Sequence, residues 1–192
     1  MGNFSGVVLA AGRSTRMGRD KALLESDGVP MWRRQRDVLT SAGAGEIFLS
    51  ARPEQVWAND AMASGGYSAV LHDAMPSAGP LCGITAAIER ASHAHVAVLA
   101  IDLPKMSVEW FGKLLGECAP GIGAVGRRGE FFEPLAAIYP CEIMPLAWGA
   151  LATGRYGLQP LIRDAINQGL MREREISGDE AAWFENWNEP VA

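Results

Sequence analysis

Gly6-Val7-Val8-Leu9-Ala10-Ala11-Gly12-Arg13-Ser14-Thr15-Arg16-Met17-Gly18-Arg19-Asp20-Lys21 begins as an apolar run and ends as a basic loop. The run from Gly6 to Ala11 reads as a buried strand. It breaks at Gly12, and Arg13, Arg16, Arg19 and Lys21 then fall within nine residues of a chain whose formal net charge is -5. Cations gathered on one loop of an acidic protein point to a specific anion there, and a nucleoside triphosphate fits that description. Gly12 and Gly18 lack Cβ atoms, so the backbone can approach an anion and turn N–H groups toward it. The spacing is not that of a P-loop, which needs Lys directly after its second Gly; here Lys21 comes three residues after Gly18. The dinucleotide fingerprint G-x-G-x-x-G is also absent. Taken as a basic loop alone, the stretch also reads as an ordinary strand-to-helix connection with solvated arginines.

Outward from this loop, apolar patterning predicts strands over 4–10, 46–50, 69–72, 95–101, 122–126 and 134–139. Helices are predicted over 30–42, 80–92, 107–118, 141–152 and 158–169, with a short one near 179–184. Strands alternate with helices through the first part of the chain, which implies an α/β fold with a mostly parallel sheet and helices on both faces. Nothing in composition divides the 192 residues, so 1–192 is expected to be one domain. In such sheets ligands bind beyond the carboxyl ends of the strands. Three segments fall at such ends: the basic loop, Asp73 to Leu81, and Asp102-Leu103-Pro104. They are expected to converge on one crevice.

Composition excludes several classes. Hydrophobic residues make up 48% of the chain, enough for a full core, yet no apolar stretch approaches the ~20 residues of a membrane span. The start, with no cationic segment ahead of its apolar run, does not read as a signal peptide, and a cytoplasmic protein is expected. Cys82, Cys118 and Cys141 are odd in number and match no zinc spacing, so reduced, mostly buried thiols are expected. An isoelectric point near 5.2 and the lack of a continuous basic stripe argue against nucleic acid. The arginines of Trp32-Arg33-Arg34-Gln35-Arg36 read as a solvated helix face. Lysine is rare here, only Lys21, Lys105 and Lys113, and one of the three closes the basic loop, which suits a point charge for phosphate.

Further candidates lie on the other segments. Asp102, just past a very apolar strand, reads as a ligand for Mg²⁺, which is held by one or two carboxylates plus substrate phosphates. Its competing reading is a helix cap, though Ser107 is better placed for that. Gly79-Pro80-Leu81-Cys82-Gly83-Ile84 opens a helix whose free N–H groups suit an anion or a base edge; taken alone, the segment reads first as a turn with close helix packing at Gly83. Asn186 and Asn188 share one face of an extended segment and can grip phosphate; otherwise they belong to a polar tail.

Together these pieces resemble the molybdenum cofactor guanylyltransferase family, within the nucleotidyltransferases of three-layer αβα, Rossmann-like (glycosyltransferase-A-like) fold. The matching residues are Leu9-Ala10-Ala11-Gly12-x-Ser14-x-Arg16-Met17-Gly18-x-Asp20-Lys21, Gly79-Pro80-Leu81-x-Gly83-Ile84, Asp102-x-Pro104, Pro134-Leu135-x-Ala137-x-Tyr139 and Asn186-x-Asn188-x-Pro190. The resemblance implies Mg²⁺-dependent transfer of GMP from GTP to the phosphate of molybdopterin, with release of pyrophosphate. It implies that Leu9, Ala10 and Ala11 line the base, and that Gly12, Ser14, Arg16 and Gly18 wrap the triphosphate. Lys21 would pair with phosphate, Asp73 and the Gly79-Pro80-Leu81 turn would contact the nucleotide, and Asp102 would hold Mg²⁺. Arg16, Lys21 and Asp102 would be the catalytic set, and Asn186 and Asn188 would border the acceptor. Transient contact with molybdoenzymes or cofactor-synthesis proteins is a further implication.

Two positions depart from the guanylyl pattern: Ala11 stands where Gly is usual, and Leu49-Ser50-Ala51-Arg52 lacks the Asn often found before the Arg. Leu-Ala-Ala-Gly is more typical of relatives that use CTP. A cytidylyltransferase acting on molybdopterin or another phosphorylated acceptor therefore stands as the alternative. A non-catalytic nucleotide- or cofactor-binding protein is the alternative of another class.

Overall fold

Val7 and Val8 lie on opposite faces of the first strand, and each feeds a different hydrophobic core. In this computed structural model, which describes residues 4–12, 20–72 and 78–187, that strand is β1 (Ser5–Leu9), buried along its whole length. It pairs in parallel with β4 (Glu46–Ser50) on one side and β6 (His95–Ala100) on the other. A strand covered on both faces must be apolar throughout, which is why this stretch reads as a continuous run.

Beyond β4 lies β5 (Ala69–Leu71), again parallel. Beyond β6 the direction changes: β9 (Ala136–Pro140) runs antiparallel to β6, and β7 (Gly123–Arg128) antiparallel to β9. The edge strand β10 (Met171–Glu175) pairs in parallel with β7, and β8 (Phe131–Phe132) folds back on β7 around Gly129 at φ 60°. The strand order is β10-β7-β9-β6-β1-β4-β5. The chain travels outward from β1 to β5 and then returns to β6 on the other side of β1. The crevice left at that reversal opens at the carboxyl ends of β1, β4 and β6.

Helices cover both faces. On one side α1 (Met31–Ser41), α2 (Trp57–Ala63) and α4 (Val108–Glu117) share a core with Val8, Leu49 and Leu99. On the other, α3 (Pro80–Arg90), α5 (Met144–Ala152) and α6 (Leu158–Asn167) pack with Val7, Leu9 and Val98. A short hairpin, β2 (Glu25–Ser26) with β3 (Val29–Pro30), leads into α1. The three-layer αβα architecture is as expected.

Several details differ from the sequence reading. β10 and α2 were not anticipated: Met-Arg-Glu-Arg-Glu is a polar edge strand whose alternating charges discourage further pairing. The helix near 179–184 is a 3₁₀ turn, Ala181–Phe184, and the 141–152 helix begins as another, Cys141–Ile143. The 134–139 strand starts only at Ala136. Cys82 alone of the three free cysteines is fully buried; burial pushes the half-buried Cys118 thiol up to about 11. Ser107, not Asp102, caps α4, its hydroxyl accepting from Glu109 N at 3.1 Å.

Candidate functional site

The carboxyl end of β1 hands over to the candidate loop through a series of occupied carbonyls. Leu9 O accepts from Ile101 N at 3.1 Å, and Ala10 N donates to Ser50 O at 2.8 Å. Gln55 Nε2 then donates to Ala10 O at 3.0 Å, and Arg52 Nη1 donates to both Ala11 O and Gly12 O. Leu9 and Ala10 are buried, Ala11 half-buried and Gly12 exposed, so the strand surfaces at Gly12.

The far side of the basic loop is tied to the same β4–α2 connection. Asp20 caps the 3₁₀ turn Lys21–Leu23 by accepting from Ala22 N at 3.1 Å. Its other oxygen accepts from Gln55 Nε2 at 2.6 Å and from Trp57 Nε1 at 2.8 Å. Gln55 thus spends one amide hydrogen on each end of the loop. Residues 13–19 between those ends, with the candidates Ser14, Arg16 and Gly18, lie outside the described residues, as do Asp73 and Asn188.

Lys21 emerges from this turn, and its Nζ lies 3.0 Å from Asp102 Oδ2. Asp102 follows β6 on a turn braced from two sides. From α1, Gln35 Nε2 donates to Ala100 O and to Leu103 O, both at 2.9 Å, and Arg34 Nε donates to Pro104 O. From the carboxyl-terminal segment, Trp187 N donates to Asp102 O at 2.9 Å, which brings the exposed Asn186 beside the same turn. The α1 arginines are therefore not a simply solvated face. Only Arg33 is exposed, whereas Arg34 holds the Asp102 turn and Arg36 donates to Gly65 O at 2.7 Å.

The terminal segment has its own anchor. The carboxylate of Glu180 is buried against α4 and β10 and takes Lys113 Nζ at 2.7 Å, Arg174 Nη1 at 3.0 Å and Ser177 N at 2.9 Å. Burial alone would raise its pKa, but these three donors outweigh it and hold the group at about 2. Phe184 meets the buried Trp110 edge-on at 4.8 Å.

At the start of α3, Gly79 adopts φ 61° and ψ -148°, a conformation open essentially to glycine alone, and Pro80 occupies the first turn. Gly79 and Pro80 are exposed, while the Leu81 side chain is in the core. A Cβ at Gly83 would lie 2.7 Å from Ser50 Oγ and 2.9 Å from Leu9 Cδ2, so close helix packing is the reason for that glycine.

The structure thus brings Leu9, Ala10, Ala11, Gly12, Lys21, Asp102 and Asn186 to one edge of the sheet. Sequence reasoning gave no role to Arg52, Gln55, Trp57, Gln35 or Glu180. For Gln35 there was a signal: a polar residue on the core-facing stripe of Met31, Trp32, Val38 and Leu39. Among the described residues no group of three or more His, Cys, Asp or Glu could enclose a metal ion. Asp102, a quarter exposed, is a single hard-oxygen donor. That donor set fits a Mg²⁺ ion carried largely by substrate phosphates and water, not one in an all-protein cage. No helix among the described residues is long and apolar enough to cross a membrane.

Residues 6–176 match the family model described as the MobA-like NTP transferase domain. A probable molybdenum cofactor guanylyltransferase of Opitutus terrae is 39% identical over 190 residues, covering 97% of this chain and 91% of that protein. A molybdenum cofactor guanylyltransferase of Xanthomonas euvesicatoria pv. vesicatoria is also 39% identical, covering 97% and 90%. The crystal structure of molybdopterin-guanine dinucleotide biosynthesis protein A from Archaeoglobus fulgidus superposes with a TM-score of 0.73 at 19% identity, over 97% of this chain and 93% of that one.

Proposed function

This chain belongs to the MobA-like NTP transferase family and is a nucleotidyltransferase of molybdenum cofactor biosynthesis, and we propose that it transfers GMP from GTP to the phosphate of molybdopterin. The observation that carries the proposal is the approach of Lys21 Nζ to Asp102 Oδ2, 3.0 Å, at the carboxyl ends of β1 and β6. It sets one cation and one hard-oxygen donor side by side where the loop after β1 ends. That is the minimal equipment for bringing a triphosphate and a second phosphate together.

In the proposed reaction an oxygen of the molybdopterin phosphate attacks the α-phosphorus of GTP. The new P–O bond forms as the bond to the departing pyrophosphate breaks. The attacking phosphate monoester is already largely dianionic near pH 7, its second pKa being about 6, so no general base is needed. The barrier is repulsion between two polyanions and the correct in-line placement. Lys21 offsets charge on the triphosphate, with Arg16 as a further cation of the same loop. Asp102 would hold Mg²⁺, which when bound supplies additional neutralisation of phosphate charge. By the family resemblance, Asn186 and Asn188 would border the acceptor side, and the Gly79-Pro80 turn and Asp73 would contact the nucleotide. We place this reaction in the cytoplasm and assign it to one domain.

A second reading is favoured by Ala11, whose Cβ stands half-buried at the end of β1 where the base would lie. One methyl group there can tilt the choice toward CTP, because specificity is a difference of affinities. The test is a thermal-shift titration with GTP, CTP, ATP and UTP, each with and without Mg²⁺, followed by a pyrophosphate-release assay with molybdopterin. A ligand that binds only the native state raises the melting temperature by mass action. A Mg²⁺-dependent shift with GTP alone and turnover with molybdopterin are expected; a shift with CTP alone replaces GTP by CTP in the proposal.

A further inference from the structure

We propose that Arg52, together with Gln55, is a positioning residue for the nucleotide, setting the N–H groups of Ala11 and Gly12 as a ready-made donor pair. Their target is acceptor atoms of the bound nucleotide, on the base or on the phosphates. The inference rests on the nucleotide reading above and adds to it a device on a different element, the β4–α2 connection.

The carbonyls of Ala10, Ala11 and Gly12 are all taken by side chains of that connection, the first by Gln55 Nε2 and the other two by Arg52 Nη1. The chain contains no cis peptide bond among the described residues. A planar trans peptide holds its C=O and N–H pointing in opposite directions. With Ala10 O turned to Gln55, the Ala11 N–H faces away from Gln55, and with Ala11 O turned to Arg52, the Gly12 N–H faces away from Arg52. For Ala11 the sheet ladder gives the same direction. Leu9 O bonds to Ile101 on the β6 side and Ala10 N to Ser50 on the β4 side, so the next N–H, that of Ala11, returns to the β6 side. That is the side on which Asp102 and Lys21 meet. Among the described residues neither N–H has a backbone acceptor.

Two physical consequences follow. Donation to a carbonyl polarises the peptide unit and strengthens its own N–H as a donor, and a guanidinium does this more strongly than a neutral group. Pre-setting the two N–H groups also removes an ordering cost that the nucleotide would otherwise meet on binding. Arg52 suits the task because its charge is only loosely engaged elsewhere, its Nε lying 3.9 Å from an exposed Glu54 carboxylate.

The test is calorimetric titration of the purified full chain with GTP, CTP and inorganic tripolyphosphate in Mg²⁺ buffer, on wild type, Arg52→Ala and Arg52→Lys. Arg52→Ala is expected to weaken binding by about tenfold or more, the order set by losing charge-assisted hydrogen bonds. In turnover it should raise KM for the nucleotide more than it lowers kcat, and Arg52→Lys, which keeps a charged donor, should recover part of the loss. Weakening confined to GTP and CTP assigns the donor pair to the base. Weakening of tripolyphosphate as well assigns it to the phosphates. Should Arg52→Ala unfold, Arg52→Gln, which keeps one amide donor, carries the same expectation. Unchanged affinity for all three probes overturns the inference, as does a loss that falls on kcat with KM unmoved. Wild-type protein that binds none of the probes overturns the nucleotide reading itself, a result distinct from either of these.

Discussion

Lys21 and Asp102, 81 positions apart in the chain, meet at 3.0 Å: Asp102 follows β6, and Lys21 stands on a 3₁₀ turn that Asp20 ties to the β4–α2 connection. The pair is part-buried, at 17% and 26% side-chain exposure. Both partners keep some solvent-exposed surface, so the pair can open toward a ligand. Its value is therefore expected in turnover more than in folding.

Replacing Lys21 with Ala should cut turnover by about a hundredfold or more, the cost typical of removing a group that stabilises transition-state charge. The melting temperature should stay within a few degrees of wild type. Steady-state pyrophosphate release and a thermal melt together check this, and near-normal turnover would remove Lys21 from the phosphate role.

Asp102→Ala should abolish the Mg²⁺-dependent rate. The backbone carbonyl of Asp102, which accepts from Trp187 N at 2.9 Å, survives the change, and so should the fold. A Mg²⁺ titration of activity reads the first effect and circular dichroism the second. Collapse of the fold would make Asp102 a structural residue.

Ala11→Gly should raise the preference for GTP over CTP by removing the one side-chain atom at the exit of β1. The ratio of kcat/KM for the two nucleotides is the measurement. An unchanged ratio would show that position 11 does not read the base.

Glu180→Gln should lower stability at neutral pH, because it removes the negative charge that Lys113 and Arg174 share. The folded-state pKa of Glu180, about 2, lies below the ordinary carboxylate value of 4.5. Its stabilisation is therefore complete above that ordinary value and is lost as pH falls toward 2. Urea midpoints of wild type and variant should stand far apart at pH 7 and converge in acid. A gap independent of pH would contradict the role of ionised Glu180.

Gly83→Ala should cost about 1–3 kcal/mol through overpacking, since the added Cβ meets Ser50 and Leu9 below 3.0 Å. Chemical denaturation checks it. A neutral result would mean that α3 shifts outward freely.

How far the sequence carried depended on whether burial or pairing defined an element. β1 and β6 are covered on both faces, so their residues had to be apolar, and both were legible with nearly the observed bounds. β10 faces water along much of its length and is written Met-Arg-Glu-Arg-Glu; only its pairing with β7 makes it a strand, and pairing leaves no mark on composition. The candidate site divides in the same way. Lys21 and Asp102 stood out because charge beside an apolar run is conspicuous. Gln55, Trp57 and Arg52 act through hydrogen bonds to residues some 35 to 45 positions away, and nothing local announces such partners. The solvated reading of Arg34 and Arg36 failed for the same reason, as their partners are carbonyls on distant loops.

The hydrogen bond from Trp187 N to Asp102 O braces the Asp102 turn from the carboxyl-terminal segment. The segment that carries Trp187 is itself anchored by Glu180, held by Lys113 of α4 and Arg174 of β10. The Asp102 turn therefore leans on a carboxylate that never touches it. Loosening that distant anchor would be felt first as slack at the crevice.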